Sequence, residues 1–217
     1  MRFSCRGAHE VLAIALSEPL DPPASDAAHP FWAREAQSQK EWELVQRAQH
    51  LDERALAWIY EHYYPRVYSY ALLQTSDPAL SEDIASEVML KVLEALPRYR
   101  FRGAPLAAWI YRIAHNCVMD HHRRRKRRPE VSLDEARPPL AAHNPESRTD
   151  VSLQRQDLQR ALQRLTYEQR QVIILKFVHG LDNRTIARAM GRSEGSVKSL
   201  QHRALKALER YLRETER

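Results

Sequence analysis

Apolar residues recur along most of this chain at steps of three and four. Leu56, Ile59, Tyr60, Tyr63, Val67, Tyr70 and Ala71 make one stripe; Ile84, Val88, Val92 and Leu96 make a second; Leu106, Trp109, Ile113 and Cys117 make a third. A period near 3.6 puts each set on one face of an α-helix. Pro65 lies within the first stripe and should break or kink that helix unless it falls near the start. Asp77-Pro78 reads as an N-cap followed by proline at the first helical position, and Pro97 should end the second helix. Cys117 belongs to an apolar face, so it reads as a core residue. Helical signals resume with Leu158, Leu162 and Leu165. Thr166 and Gln169 then form a T-x-x-Q capping box. The apolar run Val172-Ile173-Ile174-Leu175, with Phe177 and Val178, ends at Gly180, which suits the left-handed position after a helix. No alternating strand pattern competes, so the fold class is all-α.

The punctuation divides the chain. Residues 1–40, with Pro19, Pro22, Pro23 and Pro30, read as an N-terminal extension without stable structure. Residues 41–128 form a first helical domain and 153–217 a second. Between them, 129–152 contain Pro129, Pro138, Pro139 and Pro145 without periodicity and read as a flexible linker. Fully extended, it would reach about 80 Å; as a coil it would average about 30 Å.

Charge sharpens this division. The net charge of +6 over 217 residues resolves into −2 for residues 1–50, +4 for 51–128, −3 for 129–152 and +7 for 153–217. Two basic blocks separated by an acidic stretch point to an anionic partner, nucleic acid or an anionic surface. The two cysteines, Cys5 and Cys117, cannot build a disulfide framework or a four-cysteine zinc site, which suits a reducing cytoplasm. Val11–Leu16 is too short an apolar run for a membrane span, so no membrane insertion is expected. With five glycines and no G-x-G-x-x-G, G-x-x-x-x-G-K-[ST] or H-E-x-x-H, nothing points to an enzyme, a cofactor or a metal.

The most specific pattern lies between Leu181 and Leu205. Asp182 can cap a short helix carrying Ile186, Ala187 and Met190. Gly191 supplies the tight turn, and Ser193 can cap a second helix whose Val197, Leu200 and Ala204 face inward. A helix-turn-helix needs a small residue at the helix crossing, a glycine in the turn and an apolar residue on the second helix. Ala187, Gly191 and Val197 meet those needs. Arg192, Ser193, Glu194, Ser196, Lys198, Ser199, Gln201, His202 and Arg203 are then left for base edges and phosphates.

The first domain has its own nucleic-acid signal. On the helix from Pro105 to about Arg128, Arg112, Asn116, Asp120 and Arg123 lie opposite Trp109, Ile113 and Cys117. The helix ends in His121-His122-Arg123-Arg124-Arg125-Lys126-Arg127-Arg128. Such a run can track phosphates and makes binding salt-dependent. Phe101 and Arg102 lie just upstream, and aromatics beside cations offer stacking platforms to unpaired bases. Residue pattern alone leaves three classes open: a promoter-recognition subunit, a helix-turn-helix regulator with a helical sensor domain, and a DNA enzyme such as a recombinase. Tyr63, Tyr64, Tyr68 and Tyr70 sit on a helical stripe, which reads as core rather than as a nucleophile.

Three segments together resemble a known family. Ser81-Glu82-Asp83-Ile84-Ala85-Ser86-Glu87-Val88-Met89-Leu90-Lys91 is similar to a core-polymerase-binding helix. Phe101-Arg102-Gly103, with Trp109-Ile110-Tyr111-Arg112-Ile113-Ala114-His115-Asn116 and Asp120, is similar to a −10-element helix. Leu165–Arg170 through Gly195-Ser196-Val197-Lys198-Ser199 is similar to a −35-reading domain. In this order, with this linker, residues 41–215 resemble a sigma factor of bacterial RNA polymerase of the extracytoplasmic-function (ECF) group. Ser86, Met89, Thr185 and Leu200-Gln201 depart from the family pattern.

The resemblance implies a non-catalytic subunit that directs transcription initiation at −10/−35 promoters. It would have a region 2-like helical bundle, a region 4-like helix-turn-helix domain and no cofactor. Asp83, Glu87 and Lys91 would meet the β′ clamp helices of core RNA polymerase, and the second domain would meet the β flap. Phe101, Arg102, Arg112, Asn116, Asp120, Arg123, Arg124 and Arg125 would contact −10 DNA. Arg192, Ser193, Glu194, Ser196, Lys198, Ser199, Gln201, His202 and Arg203 would contact the −35 element. An anti-sigma factor is a further partner the family admits.

Overall fold

The computed structural model describes residues 31–100, 105–127 and 159–215. Phe101, Arg102 and the linker 129–152 lie outside the described residues, as do residues 1–30 of the expected extension. Among the described residues the regular structure is entirely helical: α1 (Phe31–Gln49), α2 (Glu53–Thr75), α3 (Pro78–Ala95), a 3-10 turn (Leu96–Arg98) and α4 (Leu106–Arg127) form the first unit. The second contains a helical stretch over 159–163, α5 (Tyr167–Ile173), a π-helical turn (Ile174–Val178), α6 (Asn183–Met190) and α7 (Glu194–Thr215).

Local chemistry places the helix starts where the caps predict. Asp77 and Asp182 accept from the backbone N–H of Leu80 (3.1 Å) and Thr185 (2.6 Å), and Asp52, which no sequence pattern singles out, caps α2 in the same way through Ala55 N–H (2.9 Å). Thr166 and Gln169 make the reciprocal capping box, and Gly180 and Gly191 adopt φ of +68° and +64°. A Cβ on Gly191 would meet nothing within 4 Å. Glycine is needed there for the left-handed backbone, not for space.

Two expectations are corrected. Helix α1 begins at Phe31, inside the stretch read as an unstructured extension. Its residues Trp42, Val45 and Ala48 pack on the core, and Glu41 Oε1 accepts from Leu106 N–H at 2.9 Å. A carboxylate there meets the positive end of α4. Second, α2 runs unbroken through Pro65. The proline is exposed, so the carbonyl it leaves unpaired can be hydrated, and tertiary packing of Ile59, Tyr63, Val67 and Tyr70 outweighs the lost hydrogen bond.

Helices α2, α3 and α4 pack around Ile59, Val67, Ile84, Val88, Val92 and Ile110, all with 0% exposure. The buried face of α4 is wider than the expected stripe. Ile110, Tyr111, Ala114, Cys117 and Val118 are buried, whereas Trp109 and Ile113 are half-buried at its margin. The cause is a second cover: α3 lies on one side of α4, and α6 of the helix-turn-helix lies on another.

Candidate nucleic-acid interface

The first unit presents two adjacent functional faces. On α3, Asp83 is exposed and Glu87 and Lys91 are half-exposed at successive turns, with Lys91 Nζ 2.7 Å from Glu87 Oε1. His121 Nε2 of α4 stands 3.0 Å from Glu87 Oε2. Burial pushes the Glu87 carboxyl up, but the hydrogen bonds from Lys91 and His121 outweigh it, so it ionises below its ordinary value. Beside these charges Leu90 is 57% and Leu93 38% exposed. The periodicity did not mark these leucines as a contact surface. The available signal was a run of apolar residues, Val88-Met89-Leu90 and Val92-Leu93, wider than one buried stripe.

On α4, Arg112, Asn116, Arg123 and Arg124 are exposed and Asp120 is half-exposed, as the helical spacing predicts. Asp120 Oδ1 lies 3.5 Å from Arg123 Nη1. Arg125 lies near the end of α4. Between α3 and α4 opens a cleft of about 580 Å³ lined by Lys91, Arg98, Trp109, Asn116 and Asp120. The Trp109 ring sits 4.7 Å from that of Tyr99. An indole wall with amide, carboxylate and cationic groups around it can receive an unstacked base. Cys117 is buried at the cleft floor, with Sγ 3.4 Å from Lys91 Nζ. Burial pushes its thiol up, which disfavours the reactive thiolate.

The second unit builds a helix-turn-helix. Val197, Leu200 and Ala204 of α7 are buried, and Ser193 Oγ accepts from Ser196 N–H at 3.2 Å. Ser193, Glu194, Lys198, Ser199, His202 and Arg203 are exposed, and Ser196 and Gln201 are half-buried at the edges of that face. Arg192 is exposed but pairs with Glu168 of α5. Among the described residues, no group of three His, Cys, Asp or Glu side chains could hold a metal ion. None of the described helices is long and apolar enough to cross a membrane.

For two side chains at the seam between the units the sequence pattern gives no signal of burial. Arg170 lies among polar residues of α5 just before the apolar run that starts at Val172, and is 8% exposed. His179 is 5% exposed and touches aromatic rings of the first unit.

Comparison with known proteins agrees with this division. The family described as Sigma-70 region 2 matches residues 59–128, and that described as Sigma-70, region 4 matches residues 155–208. The chain is 34% identical over 184 residues to the ECF RNA polymerase sigma factor BldN of Streptomyces coelicolor, covering 83% of this chain and 69% of that one. It is 35% identical over 169 residues to the ECF RNA polymerase sigma factor SigD of Mycobacterium tuberculosis, covering 72% of this chain and 76% of that one. The fold is similar to that of the sigma factor RpoE solved with the anti-sigma factor NepR from Bartonella quintana. There the TM-score is 0.59 at 24% identity, covering 71% of this chain and 94% of that one.

Proposed function

This chain belongs to the ECF RNA polymerase sigma factors, which direct core polymerase to promoters, and from that premise we propose how its residues divide the task. Residues 41–128 bind core polymerase and the −10 element, 129–152 tether, and 153–217 bind the −35 element. Asp83, Glu87 and Lys91, with Leu90 and Leu93 beside them, meet the β′ clamp helices. Burying two exposed leucines while satisfying charges at their rim is the composition of a protein-protein contact. The second unit meets the β flap.

Arg112, Asn116 and Asp120 hold non-template −10 bases, with Phe101 and Arg102 contributing from the segment just before α4. The cleft beside Trp109 takes an unstacked base, and Arg123, Arg124 and Arg125 hold flanking phosphates. Helix α7 enters the major groove, where Lys198, Gln201 and Arg203 read base edges, and Arg192, Ser193, Glu194, Ser196, Ser199 and His202 complete the contact. The observation that carries this reading is the outward polar and cationic face of α7 over buried Val197, Leu200 and Ala204. The protein supplies binding and no chemistry of its own, acts in the cytoplasm, and takes an anti-sigma factor as a further partner.

Reconstitution with core polymerase tests the proposal. The full chain should bind core and support transcription from a subset of a randomised promoter library. Binding to core with no promoter selected would refute the assigned DNA contacts, and no binding would refute the α3 surface.

A further inference from the structure

Helix α1 lies ahead of the stretch that matches Sigma-70 region 2, which begins at residue 59, and none of the contacts proposed above comes from it. Trp42, Val45 and Ala48 account for its packing on the core. Two polar side chains do something else. Glu41 and Gln49 are half-buried rather than turned to water, and each bonds backbone distant in sequence. Glu41 Oε1 accepts from Leu106 N–H, 2.9 Å away and 65 positions on. Gln49 Nε2 donates to Leu96 O at 2.9 Å and to Tyr99 O at 2.7 Å, 47 and 50 positions on.

These targets are the two sides of one feature. Leu96 and Tyr99 bound the 3-10 turn that follows α3, and Tyr99 leaves it in an extended conformation. Leu106 opens α4, and Trp109 stands one turn further on. The Tyr99 ring braces that of Trp109, with centroids 4.7 Å apart, and Trp109 is the aromatic wall of the cleft between α3 and α4. Tyr99 belongs to no helix, and a side chain outside a regular element is placed precisely only where other groups hold it. Gln49 supplies that hold on one side of the ring pair and Glu41 on the other. The eight residues from Glu41 to Gln49 span about 12 Å of α1 at its rise of about 1.5 Å each. A single stiff helix therefore fixes how far apart the two sides stand.

Packing alone does not ask for these residues. Burial raises the Glu41 carboxyl more than the Leu106 hydrogen bond lowers it. An ionised carboxylate there is a burden on folding that an apolar side chain would avoid. What accounts for it is the group it holds, an N–H at the positive end of α4.

We propose that Glu41 and Gln49 are positioning residues for −10 recognition, and that α1 is a splint setting the Tyr99–Trp109 pair against which an unstacked promoter base is received. The proposal rests on the assignment of −10 reading to the first unit.

A pair of templates tests it. They carry one promoter taken from the randomised library and differ by a single base pair within the −10 element. Run-off transcription by the full chain with core polymerase gives a ratio, intact over substituted, of about ten-fold for the wild type. Gln49→Met keeps the length of the side chain and removes its donors, and Glu41→Leu removes the acceptor. Each should cut the ratio by about three-fold or more, while affinity for core polymerase and the response to a scrambled −35 element stay at the wild-type level. Glu41→Gln keeps an acceptor in place and should restore the wild-type ratio. A residue that only supported packing would lower transcription from both templates alike and leave the ratio unmoved. An unmoved ratio in Gln49→Met and Glu41→Leu, or a loss of core binding in step with the ratio, would overturn the splint. A wild-type chain that transcribes yet tells no −10 substitution from the intact element would instead overturn the assignment of −10 reading to the first unit.

Discussion

His121 on α4 and Lys91 on α3 share one carboxylate: Glu87 Oε2 lies 3.0 Å from His121 Nε2, and Glu87 Oε1 lies 2.7 Å from Lys91 Nζ. The helix assigned to polymerase and the helix assigned to −10 DNA are therefore tied by a single side chain. Arg123 and Arg124 stand within one turn of His121, at the basic end of α4.

The Glu87→Gln variant keeps the side-chain shape and removes the charge. Its pairs are partly solvated, so folding stability should fall by less than about 1 kcal/mol, while affinity for core polymerase falls several-fold. A thermal melt and a core-binding titration on the same preparation separate the two. Unchanged core affinity removes Glu87 from the docking surface.

Replacing Lys198 or Arg203 by alanine should weaken recognition of a −35-dependent promoter by about 1–3 kcal/mol if the side chain reads a base. Both side chains are exposed, so stability should hardly change. In-vitro transcription from matched templates, one with the −35 element scrambled, checks this: the variants should trail the wild type only on the intact template.

Arg123, Arg124 and Arg125 replaced together by alanine should flatten the dependence of promoter binding on salt. Every phosphate that loses its neutralising cation lowers the log-log slope by about 0.9, so the triple variant should drop by up to about 3. Filter binding of the polymerase complex across a salt series gives the slope directly, and an unchanged slope would show that these arginines touch no phosphate.

Acid should loosen the seam. Burial foremost, then the Arg66 charge, pushes His179 down to about 3; burial is also the largest cause lowering His115, which faces Glu168, Arg123 and Arg192. His179 is thus neutral when packed and returns toward its ordinary value of 6.5 when released. The stability gained by keeping it neutral is complete above pH 6.5 and is lost as pH falls toward 3, amounting to about 2 kcal/mol by pH 5. Denaturant melts at pH 7.5 and pH 5 should show the loss, and His179→Gln should reduce it. An equal loss in that variant would assign the effect to another group.

Much of the fold is legible locally. Asp77, Thr166, Asp182, Ser193, Gly180 and Gly191 each act on backbone within a few residues, so the pattern that names them also places them. The outward face of α7 follows from the same 3.6-residue period. Arg170 is different. Its partner Gln74 lies 96 positions away, and nothing around either residue announces the pairing. The breadth of buried surface on α4 was hidden for the same reason, because the covering helix α6 comes from the other unit.

The sequence by itself therefore determined the all-α class, the capped helix starts at Asp77, Thr166, Asp182 and Ser193, the helix-turn-helix and the split of charge into two basic blocks about an acidic stretch. These depend on period, caps and composition, which act over one or two helical turns. Only the tertiary structure decided that α2 passes through Pro65, that Leu90 and Leu93 stay exposed, that Glu87 joins α3 to α4, and that Arg170 and His179 are sealed between the units. Those outcomes are set by which distant surface covers each side chain, and neighbouring residues carry no record of that.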